Sequence, residues 1–187
     1  MKQSQITFWC HEVIRSQAQR EGYYIDATMG NGNDTLFLCE LAGETGHVLA
    51  LDIQEEAVTA TSALLKAHGY EKRATLVKAG HEHMDEYAGE NCADVICFNF
   101  GYLPGGDHHI ATKLSTSITA IKKGLRILKS GGMMSLCVYS GGDTGFEEKE
   151  GILEYLKKLP AKKYTVIVNE YYNRKNHPPI PVFVFKN

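Results

Sequence analysis

Tyr23-Tyr24-Ile25-Asp26-Ala27-Thr28-Met29-Gly30-Asn31-Gly32-Asn33-Asp34-Thr35 is the stretch that decides the fold. An apolar run with strand character, 23–27, enters a Gly-x-Gly turn, and residues 33–41 beyond it have helical character. Glycines permit the tight turn and let a ligand approach the backbone closely. The start of the following helix offers N–H groups that have no partner within the helix. Strand, glycine turn and helix in this order suit the first unit of a parallel α/β sheet with a ligand site at its first turn.

Outward from this unit the chain alternates between short apolar, β-branched runs and longer amphipathic segments, the pattern of a parallel α/β sheet. The expected strands are 23–27, 47–52, 74–79, 93–98, 133–139, 164–171 and 182–185. The expected helices are 33–41, 55–68, 112–128 and 146–159. Gly69 is a fitting stop for the second of these, and Ser130-Gly131-Gly132 for the third. No helical segment separates the last two strands, so they are expected as an antiparallel pair at a sheet edge. The expectation is therefore one Rossmann-like α/β domain over residues 1–187. It has a seven-stranded, mostly parallel sheet with helices on both faces, and residues 1–20 form an N-terminal helical extension carrying a helix over 6–20.

Composition agrees with this. A chain of 187 residues suits one domain and can bury a core without staples. No apolar run is long enough to span a bilayer. The N-terminal stretch lacks the apolar segment and cleavage site of a signal peptide, so a cytoplasmic location is expected. The five cysteines (Cys10, Cys39, Cys92, Cys97, Cys137) form no C-x-x-C pair and sit among apolar residues, which reads as reduced, mostly buried thiols. No metal site is expected: His81-x-His83 has no evident third ligand. The net charge of −2 argues against wholesale coating of nucleic acid but leaves room for a local basic face.

Two details of the glycine turn separate the cofactor classes. The dinucleotide fingerprint G-x-G-x-x-G carries Thr35 where its third glycine belongs, and no G-K-[ST] follows, which removes the P-loop. Asp26, at the strand end, would repel a pyrophosphate but suits the cationic amino-acid end of S-adenosyl-L-methionine. Asp52, at the end of the second strand, can accept hydrogen bonds from both ribose hydroxyls of an adenosine. Asp26 and Asp52 around Gly30-Asn31-Gly32, with Asn33, Asp34 and Thr35 opening the helix, thus read as a site for that sulfonium donor. The plainer alternative is a strand–turn–helix with two capping acids. After the third strand, His81-Glu82 is expected near the adenine; a simple helix N-terminus with a favourable acid explains it equally well.

The loop after the fourth strand, Phe98-Asn99-Phe100-Gly101-Tyr102-Leu103-Pro104-Gly105-Gly106-Asp107, lies at the carboxyl end of the sheet, where open α/β sheets place ligands. An Asn followed by an aromatic and a proline resembles the Asn-Pro-Pro-Tyr type of loop in amino-methylating enzymes. An amine nucleophile must be neutral and oriented, and the Asn99 carbonyl could accept its N–H while Tyr102 stacks on a base. A structural Gly/Pro loop is the plainer alternative, and His108-His109 read best as solvated.

Taken together, 26–35, Asp52-Ile53-Gln54, His81-Glu82, 99–107 and Asn173-x-Lys175-Asn176-x-Pro178-Pro179 resemble the small bacterial proteins labelled rRNA methylases. Members of that family methylate the primary amine of 5-aminomethyl-2-thiouridine at the tRNA wobble position 34. The resemblance covers nearly the whole chain. It implies a class I S-adenosylmethionine-dependent methyltransferase fold, tRNA as substrate and a homodimer. Carried over by position, Asn31, Asn33, Asp52, Gln54, His81 and Glu82 line the cofactor. Asn99, Tyr102 and Leu103 face the methyl group and the target amine, with Asn99 and Leu103 also against the cofactor. One departure stands out. The family often reads Tyr-His-Gly-His after the fifth strand, where this chain has Tyr139-Ser140-Gly141-Gly142-Asp143. A proton-transfer role for those histidines does not hold here, while Tyr139 remains to orient the substrate.

For RNA, Arg174, Lys175, Asn176 and His177 lie in the turn between the last two strands, beside Tyr171 and Tyr172. Basic groups beside aromatics suit an unpaired, splayed loop such as a tRNA anticodon loop, entering over Pro104. The lysines around 122–129 and 157–163 read instead as solvated helix faces. Methylation of rRNA or of a small amine stays open as an alternative, as does a non-catalytic RNA-binding module that keeps the fold alone.

Overall fold

The computed structural model describes residues 6–101, 112–139, 145–174 and 178–187. Along the chain run α1 (Ile6–Gln17), β1 (Tyr23–Asp26), α2 (Asn33–Ala42), β2 (His47–Asp52), α3 (Glu55–Ala67) and β3 (Ala74–Lys78). A 3-10 helix (His81–Glu86) and β4 (Ala93–Phe100) follow, then α4 (Leu114–Ile127), β5 (Leu128–Val138), α5 (Gly145–Lys157), β6 (Tyr164–Val168) and β7 (Ile180–Lys186). The strands form one seven-stranded sheet in the order β3-β2-β1-β4-β5-β7-β6. β7 runs antiparallel to both its neighbours, β5 and β6, and the other pairings are parallel.

The sheet is buried on both faces, so its central strands are continuous apolar runs rather than alternating ones. Their period of two sends alternate residues to opposite sides. Tyr24, Val48, Val95 and Cys97 meet Ile6, Cys10 and Ile14 of α1 and Phe37 and Leu38 of α2. Ile25, Leu49, Ile96 and Phe98 meet Ile121 and Leu125 of α4 and Ile152 and Leu156 of α5. Helices therefore cover both faces, as expected from the sequence.

The boundaries differ in instructive places. β5 begins at Leu128, directly after α4, and not at Met133. Leu128 already pairs with Ala93, and the register shifts before Val95 meets Met133, so Ser130-Gly131-Gly132 is absorbed as an irregularity within the strand. The helix over 6–20 closes at Gln17, and the strand expected over 164–171 ends at Val168. The stretch after β3 forms the 3-10 helix His81–Glu86 rather than an open loop. Gly69 ends α3 with φ +72°, a left-handed stop that glycine supplies without strain.

The strand order reverses between β1 and β4, so the connections leaving these two strands diverge and open a crevice at their carboxyl ends. The glycine turn starts there, as does the segment after β4; the strand itself runs on to Phe100 and so takes in Asn99, expected in the loop.

Candidate active site

The glycine turn is built by hydrogen bonds to both flanking strands. Ala27 N–H donates to Cys97 O of β4, and Met29 N–H to Leu51 O of β2, each at 2.9 Å. Gly30 N–H donates to Asp52 Oδ2 at 3.0 Å, and the other oxygen, Oδ1, accepts Gln54 N–H at 3.0 Å. Gly32 caps α2 with φ +82°, and a Cβ there would lie 2.8 Å from Thr61 Oγ1. Only glycine meets both the backbone angle and the close approach of α3. Asn31 and Asn33 are exposed, with Gly30, Asp52 and Gln54 half-buried beside them.

Asp26 corrects the expectation drawn from its position. It is fully buried, and its carboxylate serves the turn itself, accepting the Thr35 hydroxyl at 2.6 Å and the Thr28 N–H at 3.2 Å. Thr35 is likewise without exposed surface. Neither side chain presents an atom to a ligand at the surface. Burial, then the neighbouring Asp34 charge, pushes the Asp26 carboxyl up from its ordinary 3.8 to about 7. Asp34 and Asp52, by contrast, are only partly buried.

Asp34, in the first turn of α2, is flanked on both oxygens. Oδ1 lies 2.6 Å from His11 Nε2 of α1, and Oδ2 accepts Asn99 Nδ2 at 2.7 Å. Burial alone would raise this carboxyl. The hydrogen bond and charge interaction with His11, with the Asn99 bond, outweigh it and hold Asp34 below the usual carboxylate range. Asn99 sits near the end of β4, half-buried, with its own N–H given to Thr28 Oγ1 at 2.7 Å.

His81 opens the 3-10 helix against two aromatic edges, its ring 6.3 Å from Phe98 and 5.9 Å from Phe100. It is only 8% exposed, and its Nε2 has no hydrogen-bond partner among the described residues. Burial lowers its pKa, which favours the neutral ring. Glu82 is half-buried next to it, and Lys123 Nζ donates to the Glu82 carbonyl at 2.6 Å.

At the mouth, Tyr139 follows β5. A Cβ on Gly101 would lie 3.5 Å from Tyr139 Cβ and Cγ, which puts these residues side by side at the ends of neighbouring strands. Burial, then the adjacent Cys137, raises the Tyr139 phenol, which therefore keeps its proton and acts as a donor. Thr112 N–H donates to Gly101 O at 2.9 Å, joining the two ends of the segment between them. Tyr102, Leu103 and Pro104 lie in that segment, outside the described residues, as do Lys175, Asn176 and His177. Arg174 stacks on Tyr171, 4.4 Å from the ring centroid, beside a fully exposed Tyr172. β7 starts with Ile180 opposite Val138. The turn that carries Arg174 therefore reaches the same end of the sheet as Tyr139.

Several basic groups of the helices are engaged by acids, while Lys122 lies over the Tyr155 ring. Lys123 pairs with Asp85, Arg126 with Glu90 and Lys129 with Asp94, and Lys157 and Lys158 lie near Glu154. Among the described residues no cluster of three or more His, Cys, Asp or Glu is arranged to hold a metal ion, and no helix is long and apolar enough to cross a membrane. Two participants were missed from sequence, His11 and Thr28. Thr28 stood inside the glycine stretch without a role, and nothing in the pattern of α1 singles out His11.

The family model described as "Putative rRNA methylase" matches residues 48–185. A chloroplastic tRNA (mnm(5)s(2)U34)-methyltransferase of Arabidopsis thaliana is 38% identical, over 94% of this chain and 67% of that protein. A crystal structure of a protein described as an rRNA-methylase from Clostridium thermocellum superposes with a TM-score of 0.93 at 42% identity, covering 96% of both chains. A methyltransferase of Streptococcus mutans, solved in complex with SAH, gives 0.88 at 35% identity, covering 98% of this chain and 99% of that one. The sheet, the crevice at its reversal point and these likenesses agree: the chain belongs to the rRNA methylase family, a family of α/β methyltransferases.

Proposed function

We propose that the protein is an S-adenosylmethionine-dependent tRNA methyltransferase that converts 5-aminomethyl-2-thiouridine at wobble position 34 to 5-methylaminomethyl-2-thiouridine. The observation that carries the reading is the Asn99 amide, held through its NH2 by Asp34 at the crevice between β1 and β4. Its carbonyl oxygen would then accept an N–H from a primary amine. The likeness to an enzyme named for this reaction supports the choice of substrate.

The residues fit the donor. The Nε2 of His81, unpartnered among the described residues, suits the adenine edge, Asp52 the ribose hydroxyls, and the acidic side of the turn a cation. Gly30, Asn31, Gly32, Asn33, Gln54 and Glu82 would complete the lining. The bound donor supplies an electrophilic methyl group on a positively charged sulfur. The protein's task is then orientation and exclusion of water. Asn99 would hold the amine with its lone pair along the line of displacement, and Tyr139 would steady it from the neighbouring strand. The secondary ammonium so formed loses its proton to water, and no covalent link to the protein arises.

RNA would reach the site over residues 102–104, with the target base turned out of its loop. The Arg174–His177 turn would hold the anticodon loop, Tyr172 offering a face for stacking. A homodimer acting in the cytoplasm completes the proposal. The test is methylation of tRNA carrying the aminomethyl group, read by nucleoside mass spectrometry. Appearance of the methylaminomethyl nucleoside is expected. Methyl incorporation into rRNA or a free amine, with none into this tRNA, overturns the substrate assignment. Light scattering of the purified protein tests the dimer.

A further inference from the structure

His11 belongs to none of the sequence motifs, yet it reaches the centre of the site. Its imidazole lies flat on Phe37 of α2, with ring centroids 3.9 Å apart and planes at 8°. Nε2 meets Asp34 Oδ1 at 2.6 Å, and Asp34 Oδ2 takes Asn99 Nδ2 at 2.7 Å. Three side chains from α1, α2 and β4 thus form one line. The helix that brings His11 is fastened to the sheet by Ile6, Cys10 and Ile14, so the imidazole is presented from a rigid element.

The direction of the line follows from what each group can do. An ionised carboxylate only accepts, so the Asn99 amide must turn its NH2 towards Asp34 and its carbonyl away. The usual ambiguity between the two ends of an amide is thereby removed. Donation to an anion also leaves the carbonyl oxygen richer in electrons and a better acceptor. Asp34 can impose this only if its own rotamer is fixed. Its side chain is 16% exposed, and Oδ1 would be left without this partner if His11 were absent.

We propose that His11 is a positioning residue for amine methylation: its hydrogen bond to Asp34 holds the carboxylate in the orientation that turns the Asn99 carbonyl towards the incoming amine. The inference rests on the amine-methylating function proposed above. It assigns α1 a part in turnover as well as in packing.

The experiment compares wild type, His11→Ala and His11→Gln on tRNA bearing the aminomethyl group, with donor affinity by calorimetry and Tm measured alongside. Gln places an N–H donor near the position of the imidazole Nε2. His11→Ala is expected to lower kcat about 10- to 100-fold with donor affinity within about twofold, the signature of lost orientation. His11→Gln is expected to recover most of that loss. The inference is overturned if His11→Ala keeps the wild-type kcat. It is equally overturned if both variants lose activity in proportion to a fall in Tm, with no rescue by Gln. Absence of wild-type turnover on this RNA overturns the amine-methylating function itself, and the inference with it.

Discussion

The Asp52 carboxylate accepts the Gly30 amide N–H at 3.0 Å, so the acid ending β2 holds the glycine turn that follows β1. One side chain therefore shapes the turn and still offers lone pairs to a ligand. Replacing it removes the acceptor for Gly30 and for Gln54 together.

Asp52→Ala is accordingly expected to weaken donor binding about 10- to 100-fold, the scale of losing hydrogen bonds to a charged group. Titration calorimetry measures this directly. Unchanged affinity would contradict the place given to Asp52.

Asn99→Ala should act on the other half of the reaction. Turnover is expected to fall about 100-fold, while donor affinity changes by less than about threefold. Steady-state kinetics with parallel calorimetry separates the two. Equal losses in both would assign Asn99 to the donor instead of the amine.

Asp26→Asn should reveal itself in stability against pH. The Asp26 carboxyl stands at about 7 in the fold against an ordinary 3.8. Between those values the folded chain binds more protons than the unfolded chain, so this group's contribution is full below about 4 and is lost as pH rises through about 7. Asn stays neutral throughout. The Tm of the variant relative to wild type is expected to rise between pH 5 and pH 8. A constant difference across that range would show that Asp26 is not the group responsible.

Gly32→Ala should destabilise the fold by about 1–3 kcal/mol, because φ is left-handed and the new methyl meets α3. Adding Thr61→Ala should not restore it, since the Thr61 Cα itself lies 3.1 Å from the added Cβ. Denaturant unfolding of the single and double variants measures both effects, and full rescue by the second change would refute the backbone argument.

The β1–turn–α2 unit was legible because its signals are local: a β-favouring run, two glycines and a helix opening within thirteen residues. The antiparallel tail was legible because the sequence between the last two strands carries no helical pattern. The start of β5 was not, because Ser130-Gly131-Gly132 reads locally as a stop, while pairing of Leu128 with Ala93 draws the chain into the sheet earlier. The burial of Asp26 was equally hidden. In a sheet covered on both faces, period-two patterning does not tell which acid at a strand end meets solvent. The contact of His11 with Asp34 spans twenty-three positions between two polar side chains, and no periodicity announces such a pair.

The bond from Thr112 to the Gly101 carbonyl makes a clasp at the foot of the stretch it encloses. Glu148 of α5 reinforces the clasp by accepting the hydroxyls of Thr112 and Ser117 at 2.8 and 2.6 Å. A clasped insert can be exchanged like a tool bit. Doubling the length of such a span costs only about 0.6 kcal/mol in closure entropy. Chimeras that swap residues 102–111 between relatives should keep the sheet intact, and under the proposed entry of RNA over residues 102–104 they should differ in the substrate they take.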